Sequence, residues 1–169
     1  MDRTLYTIGH SNIQLDDFLK ILMDAGIEVA VDVRSIPYSE YAPWFNMDKL
    51  ESAISSKNII YIYLGDLLGG KPKDKGCYTN GKPDYSLIRK RDFYQKGIER
   101  LTNGVTKYRV AIICSEEEPF ECHRRNLIGF DMYKKGLKII HIRHNGVLEE
   151  DDFEKEMLSE LQGSLFGDI

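Results

Sequence analysis

The segment Cys114-Ser-Glu-Glu-Glu-Pro-Phe-Glu-Cys122-His123-Arg124 carries the densest chemistry in the chain. Two thiols, the Glu116 carboxylate, an imidazole and a guanidinium stand close together there. The apolar run before Cys114 reads as a buried strand. An acidic turn around Pro119 follows, and then a helix over 122–135 closed by Gly136. Cys122, His123 and Arg124 are thereby expected in a helix's first turn, where free N–H groups point outward. Such a turn lowers a thiol's pKa, and its N–H groups and an Arg hold an anion. Three uses compete. Cys122 or Cys114 is a nucleophile or redox thiol with His123 as acid/base; or His123 and Arg124 grip a phosphate or carboxylate beside inert thiols; or both cysteines simply fill core space. Cys114, Cys122 and His123, with Cys77 or His10, are also zinc donors by type. Their spacing matches neither C-x2-C nor H-x3-H, so no metal is assigned.

Other residues are expected beside this segment. Gly9-His10-Ser11 follows the first apolar run, Asp32-Val33-Arg34 ends the second, and Gly69-Gly70 lies in the loop after the third. His10 could act as a base and Ser11 as a hydroxyl. Asp32 could hold Arg34 by a bidentate pair, leaving the guanidinium near an anion. Past the fifth run stand Arg143 and His144, with His141 just before them. Neither Gly-x-x-x-x-Gly-Lys-Ser/Thr nor Gly-x-Gly-x-x-Gly occurs, so the cofactor stays unknown.

The elements that position these residues follow from periodicity. Five short apolar runs (4–9, 28–33, 59–64, 109–114 and 138–142) lack clean alternation, as strands buried on both faces do. Between them lie helical spacings: Leu15, Phe18, Leu19, Leu22 and Ala25, closed by Gly26; then 47–57; then 85–102. A last helix is expected over 151–161. The alternation predicts a three-layer α/β domain, Rossmann-like, with a mostly parallel five-stranded sheet and helices on both faces. One domain, 1–161, and a short tail, 162–169, account for the length. In such sheets ligands bind beyond the carboxyl ends of the strands, which is where the reactive residues fall. The connections 35–46 and 65–84 are long for a compact domain and are expected to be lids or binding loops.

Composition narrows the classes. The chain of 169 residues is 42% hydrophobic and 30% charged, which excludes a disordered chain. No apolar run reaches membrane-spanning length. The absence of a secretory apolar core and the odd cysteine count predict a cytoplasmic protein without a disulfide framework. The net charge of −4 conceals asymmetry. Residues 70–110 hold eleven Lys/Arg and four Asp/Glu, whereas 149–169 hold eight acids and one Lys. The first stretch reads either as a solvated face or as a basic lid over an anionic ligand.

Taken in order, Thr7–Asn12, Asp32–Ser39, Tyr63–Gly70 and Cys114–Arg124 resemble the family called domain of unknown function 488. The resemblance spans roughly residues 4–144 and implies an α/β domain without an assigned activity. The family's signature positions correspond here to Gly9, His10, Ser11, Asp32, Arg34, Pro37, Gly69, Gly70, Cys114, Glu116, Cys122, His123 and Arg124. One departure is Glu40, where the family often carries a basic residue. Asp32-Val-Arg also resembles rhodanese-like domains, but their Cys-to-Arg loop is absent, since Phe120 stands six residues after Cys114.

The tail Gln162-Gly-Ser-Leu165-Phe166 resembles the short peptide by which bacterial replication and repair proteins dock on the sliding clamp. Leu165 and Phe166 would fill an apolar pocket while Gln162 bonds at its rim, or they pack back on the domain. Three functional classes result. The first is an enzyme acting on a phosphate-bearing substrate, nucleotide or nucleic acid, through Cys, His and Arg. The second is a DNA-repair or replication accessory module recruited to the clamp. The third is a non-catalytic sensor of an anionic small molecule.

Overall fold

The computed structural model describes residues 3–167. Its centre is a six-stranded sheet in the order β3-β2-β6-β1-β7-β8. The strands are β1 (Thr4–Gly9), β2 (Val29–Asp32), β3 (Ile60–Tyr63), β6 (Val110–Cys114), β7 (Lys138–Ile142) and β8 (Leu148–Asp151). All pairings are parallel except β7 with β8. The five expected strands are present, and β8 is the sixth. It escapes detection because Leu148-Glu-Glu-Asp is acidic and contains no β-branched residue, so nothing marks it as a strand. It is an edge strand, where solvent and the β7 backbone suffice.

The helices α1 (Leu15–Asp24) and α2 (Met47–Ser55) cover one face. Their Phe18, Leu19, Leu22, Leu50 and Ile54 meet Ile8, Ala30, Ala111 and Ile113 of the strands. The opposite face is covered by α3 (Gly65–Leu68), α4 (Tyr85–Arg89), α5 (Asp92–Val105), α6 (Phe130–Lys134) and the start of α7 (Glu154–Phe166). There Leu68, Ile88, Tyr94, Ile98 and Leu101 meet Leu5, Val31, Val110 and Ile112. Alternate residues of each strand thus feed two separate cores, which explains the unbroken apolar runs. A small hairpin, β4 (Tyr78–Thr79) with β5 (Lys82–Pro83), folds the long 65–84 connection.

Three helices differ from expectation. The 85–102 helix is two: Asp84 caps α4 by accepting from Ser86 and Leu87 N–H groups, and the chain turns at Lys90–Arg91 before α5. The 122–135 helix begins with a 3₁₀ turn, Pro119–Glu121, and a π-helical stretch, Arg124–Gly129, before α6. Cys122 therefore sits in extended backbone between them, outside any α-helical first turn. Finally, α7 starts three residues late and runs on through Phe166, so no change of backbone marks position 161. Among the described residues no helix is long and apolar enough to cross a membrane.

Candidate functional site

The strand order brings two distant segments together. Because β6 lies between β2 and β1, the carboxyl end carrying Cys114 abuts those carrying Asp32 and Gly9. A cleft of about 280 Å³ opens there. Arg34, Gly70, Cys114, Glu116, Cys122 and His123 line it, with Lys71 and Tyr85 among its further walls. Both long connections contribute, through Ser35 and Ile36 on one side and Gly70, Lys71 and Pro83 on the other.

Beneath the cleft Arg34 is nearly buried. Its Nε and Nη2 donate to the two Asp32 carboxylate oxygens at 2.9 and 2.7 Å. Its Nη1 faces His10 Nε2 at 3.2 Å. His10 Nδ1 faces the Ser11 carbonyl at 2.7 Å, so Nδ1 carries the proton and Nε2 accepts from Arg34. Burial lowers the His10 pKa to about 4, and the Arg34 charge pushes the same way. A neutral imidazole with both nitrogens engaged orients Arg34 and is a poor candidate for the base the sequence suggested. Tyr61, unremarked in the sequence, completes the array by donating to Asp32 at 2.6 Å. Desolvation, and then the Asp32 charge, push its phenol pKa up. Ser11 acts here through its backbone, with a left-handed φ of 46° and a carbonyl accepting from His10.

The thiols lie on the other face of the sheet. Cys114 donates to Glu116 Oε2 at 3.3 Å and lies 3.6 Å from His123 Nδ1. Cys122 Sγ is 3.8 Å from the same nitrogen and accepts the Arg124 backbone N–H at 3.5 Å. His123 Nε2 meets the Val33 carbonyl at 3.1 Å, which fixes the Nε2–H tautomer and turns the Nδ1 lone pair toward the sulfurs. The expected depression of the Cys122 pKa is overturned. The neighbouring Cys114 thiol and then burial push it well above the usual thiol range, and the chain supplies no α-helical first turn to oppose them. At Glu116 desolvation opposes the charge, but hydrogen bonds from its own N–H and from the two thiols outweigh it and hold the carboxyl low. Cys114, Cys122 and His123 present donor atoms all within 4.8 Å of one another, the arrangement a metal ion needs.

Arg124 departs from its expected role as an anion clamp. It is fully buried behind the cleft. Its guanidinium donates to the Thr7 hydroxyl at 3.2 Å, to the Glu117 carbonyl at 2.9 Å and to the Glu116 carbonyl. It therefore fixes the loop that carries Glu116. Two glycines make close approaches that a side chain would block. A Cβ on Gly9 would lie 1.6 Å from the Glu116 carbonyl oxygen, and one on Gly70 would lie 2.8 Å from the His123 ring. Gly69 is packed against Ser35, whose hydroxyl accepts the Lys71 N–H at 2.8 Å.

The basic 70–110 stretch disperses. Lys71 reaches the cleft, but Arg89 pairs with Asp131 and Arg109 sits at the opposite end of β6. Glu116 and Glu121 also line the cleft, so its charge is mixed. Gln162 and Leu165 lie far along the chain on α7, both exposed, and Phe166 is that helix's last residue.

No curated protein and no solved structure matches the chain significantly. The model of the family described as domain of unknown function DUF488 matches residues 14–130, which include Asp32, Arg34, Gly70 and the whole Cys114–Arg124 segment, and the chain belongs to that family.

Proposed function

We propose that the protein is a cytoplasmic enzyme that transforms a phosphate-bearing substrate, a nucleotide or nucleic-acid end, in the cleft beyond β2 and β6. One observation carries this: Arg34 from beyond β2 and Gly70 from the loop after β3 line the same opening as Cys114, Glu116, Cys122 and His123. Asp32 and His10 take three of Arg34's five N–H groups and the Tyr61 phenol lies against the guanidinium too, which leaves at most two for an anion. Lys71 adds an exposed charge at the rim. The reactive group is the Cys114–Cys122–His123 set, with Glu116 beside it to take or give a proton. His10, Asp32 and Tyr61 hold Arg34 in place.

The test is turnover and binding by the purified chain on nucleotides and 5′-phosphorylated oligonucleotides. Expected are product formation abolished in Cys122→Ser and an affinity about tenfold weaker in Lys71→Ala, near 1.4 kcal/mol. Binding without turnover moves the protein to the sensor class. Neither binding nor turnover ends both.

A second role, docking on a sliding clamp, is supported by Leu165, 74% exposed, in line with exposed Leu158 and Leu161 on α7. Gln162, Leu165 and Phe166 all belong to α7, so the peptide would be offered from a helix. Clamp binding that survives Leu165→Ala removes this role.

A further inference from the structure

We propose that Cys114, Cys122 and His123 form a mononuclear site for a borderline-soft divalent cation, zinc foremost, with its fourth position open to the cleft. The distances fit. With Zn–S near 2.3 Å and Zn–N near 2.0–2.1 Å, a tetrahedral centre sets nitrogen and sulfur about 3.6 Å apart. His123 Nδ1 lies 3.6 Å from Cys114 Sγ and 3.8 Å from Cys122 Sγ. The two sulfurs, within 4.8 Å of each other, would close to about 3.8 Å on coordination.

The surroundings fit independently. A ligating imidazole is held by a hydrogen bond from its other nitrogen to a carbonyl or carboxylate, which fixes tautomer and ring plane. His123 Nε2 makes that bond to the Val33 carbonyl. The Arg124 backbone N–H points at Cys122 Sγ, where it would stabilise a thiolate. Two thiolates and a neutral imidazole cancel the dication's charge, as a largely buried site requires. The donor set of two sulfurs and one nitrogen disfavours Mg²⁺ and Ca²⁺, which take oxygen. Three protein ligands facing a cleft is the pattern of a site that keeps one position for water or substrate. Glu116, 3.3 Å from Cys114 Sγ, stands where it could accept a proton from a bound water.

Binding has a definite balance. One M²⁺ enters, two S–H bonds break, two M–S bonds and one M–N bond form, and two protons leave to solvent. The metal's role in turnover rests on the enzyme proposal above; its binding does not. The experiment uses the full chain, reduced and purified without chelator. Metal content is read by elemental mass spectrometry, affinity for Zn²⁺ by competition with a chromophoric chelator, and proton release in weak buffer.

Expected are one zinc per chain, two protons released, and affinity at least about 100-fold weaker in Cys122→Ser and in His123→Ala. Cys77→Ala, which removes a thiol outside the cluster, keeps the zinc. Should the site variants fail to fold, Co²⁺ added to the wild-type chain reports directly, since thiolate-to-cobalt charge-transfer bands appear only with sulfur ligation. A reduced chain that takes up no stoichiometric zinc, or Co²⁺ without those bands, overturns the site. So does a Cys114–Cys122 disulfide that forms as fast with zinc as without. Zinc without turnover supports the site and overturns the enzyme proposal; turnover by a chain that binds no zinc does the reverse.

Discussion

Two polar assemblies share the α3–α6 face of the sheet and meet at the Glu116 loop, yet they are bonded very differently. One is a chain of buried groups. Arg124 donates to Thr7, Thr7 to His141 Nδ1 at 2.6 Å, and His141 Nε2 to Asp151 at 2.9 Å. Arg125 closes it, with Nε and Nη2 on Asp151 at 2.6 and 3.0 Å and Nη1 on Glu156. The guanidinium also stacks between Phe120 and Phe153. The other assembly is the Cys114–Cys122–His123 cluster, whose sulfur contacts run from 3.3 to 3.8 Å. Sulfur's size accounts for part of the difference. The rest is unspent bonding capacity: thiols are weak donors, and the lone pair of His123 Nδ1 meets only them. Saturated buried networks hold a fold in one arrangement, and partly satisfied ones keep donors in reserve for chemistry. The contrast separates the residues that position from those the enzyme proposal makes reactive.

Mutations should separate them too. Arg125→Ala leaves the Asp151 carboxylate buried with only His141 and the Phe153 N–H as partners and is expected to cost about 3–5 kcal/mol, measured by urea unfolding; a loss below about 1 kcal/mol would erase the contrast. Next in size is a pH effect from the Arg34 array. His10 has a folded pKa near 4 against an unfolded 6.5, so between those values the unfolded chain binds more protons and stability falls as pH falls. The full loss is on the order of 3 kcal/mol from pH 7 to pH 4. His10→Gln should flatten that window. Asp151 and Glu116, both held low, keep their contribution above the ordinary carboxylate range and lose it only below; a slope unchanged in His10→Gln assigns the window elsewhere.

Smaller effects are expected within the cluster. Gly70→Ala puts a methyl against the His123 ring while Val33 holds its far side. About 1–2 kcal/mol of stability should go, with a roughly tenfold loss of Zn²⁺ affinity. Cys122→Ser should cost about 1 kcal/mol in unfolding while removing metal and activity. A destabilisation there as large as that of Arg125→Ala would show that the thiol positions and does not react.

The residues that mark the cleft were legible where they end a buried β-branched strand. Gly9, Asp32 and Cys114 end their strands and Arg34 follows two positions on, and a parallel sheet sends those ends to one edge. What stayed hidden depends on strand order. Nothing local shows that Thr7 meets His141, 134 residues away, or that Arg125 reaches Asp151 on an acidic strand without strand-forming residues. The Cys122 reasoning failed for a local cause. A thiol's pKa follows its immediate turn, and the chain there passes from a 3₁₀ turn into a wide π-helical one, a difference that side-chain periodicity cannot register. The metal-capable trio was hidden by the same gap, since Cys-x7-Cys-His becomes a cluster only when a strand end and an irregular turn face each other.

The place of β6 has a consequence for how the chain is made. β1 and β2 emerge first but are not neighbours; β6 fills the slot between them. Until residue 114 leaves the ribosome, β1 has no strand on either side, and β2, paired with β3 along one edge, waits with the backbone groups of its other edge unpaired. Everything before is a half-built wall with its central course missing, long-range in contact and exposed to aggregation. Synthesis of the segment that carries Cys114 and Cys122 is the same event that closes the sheet, so a fragment ending before β6 should have neither a cleft nor a stable fold.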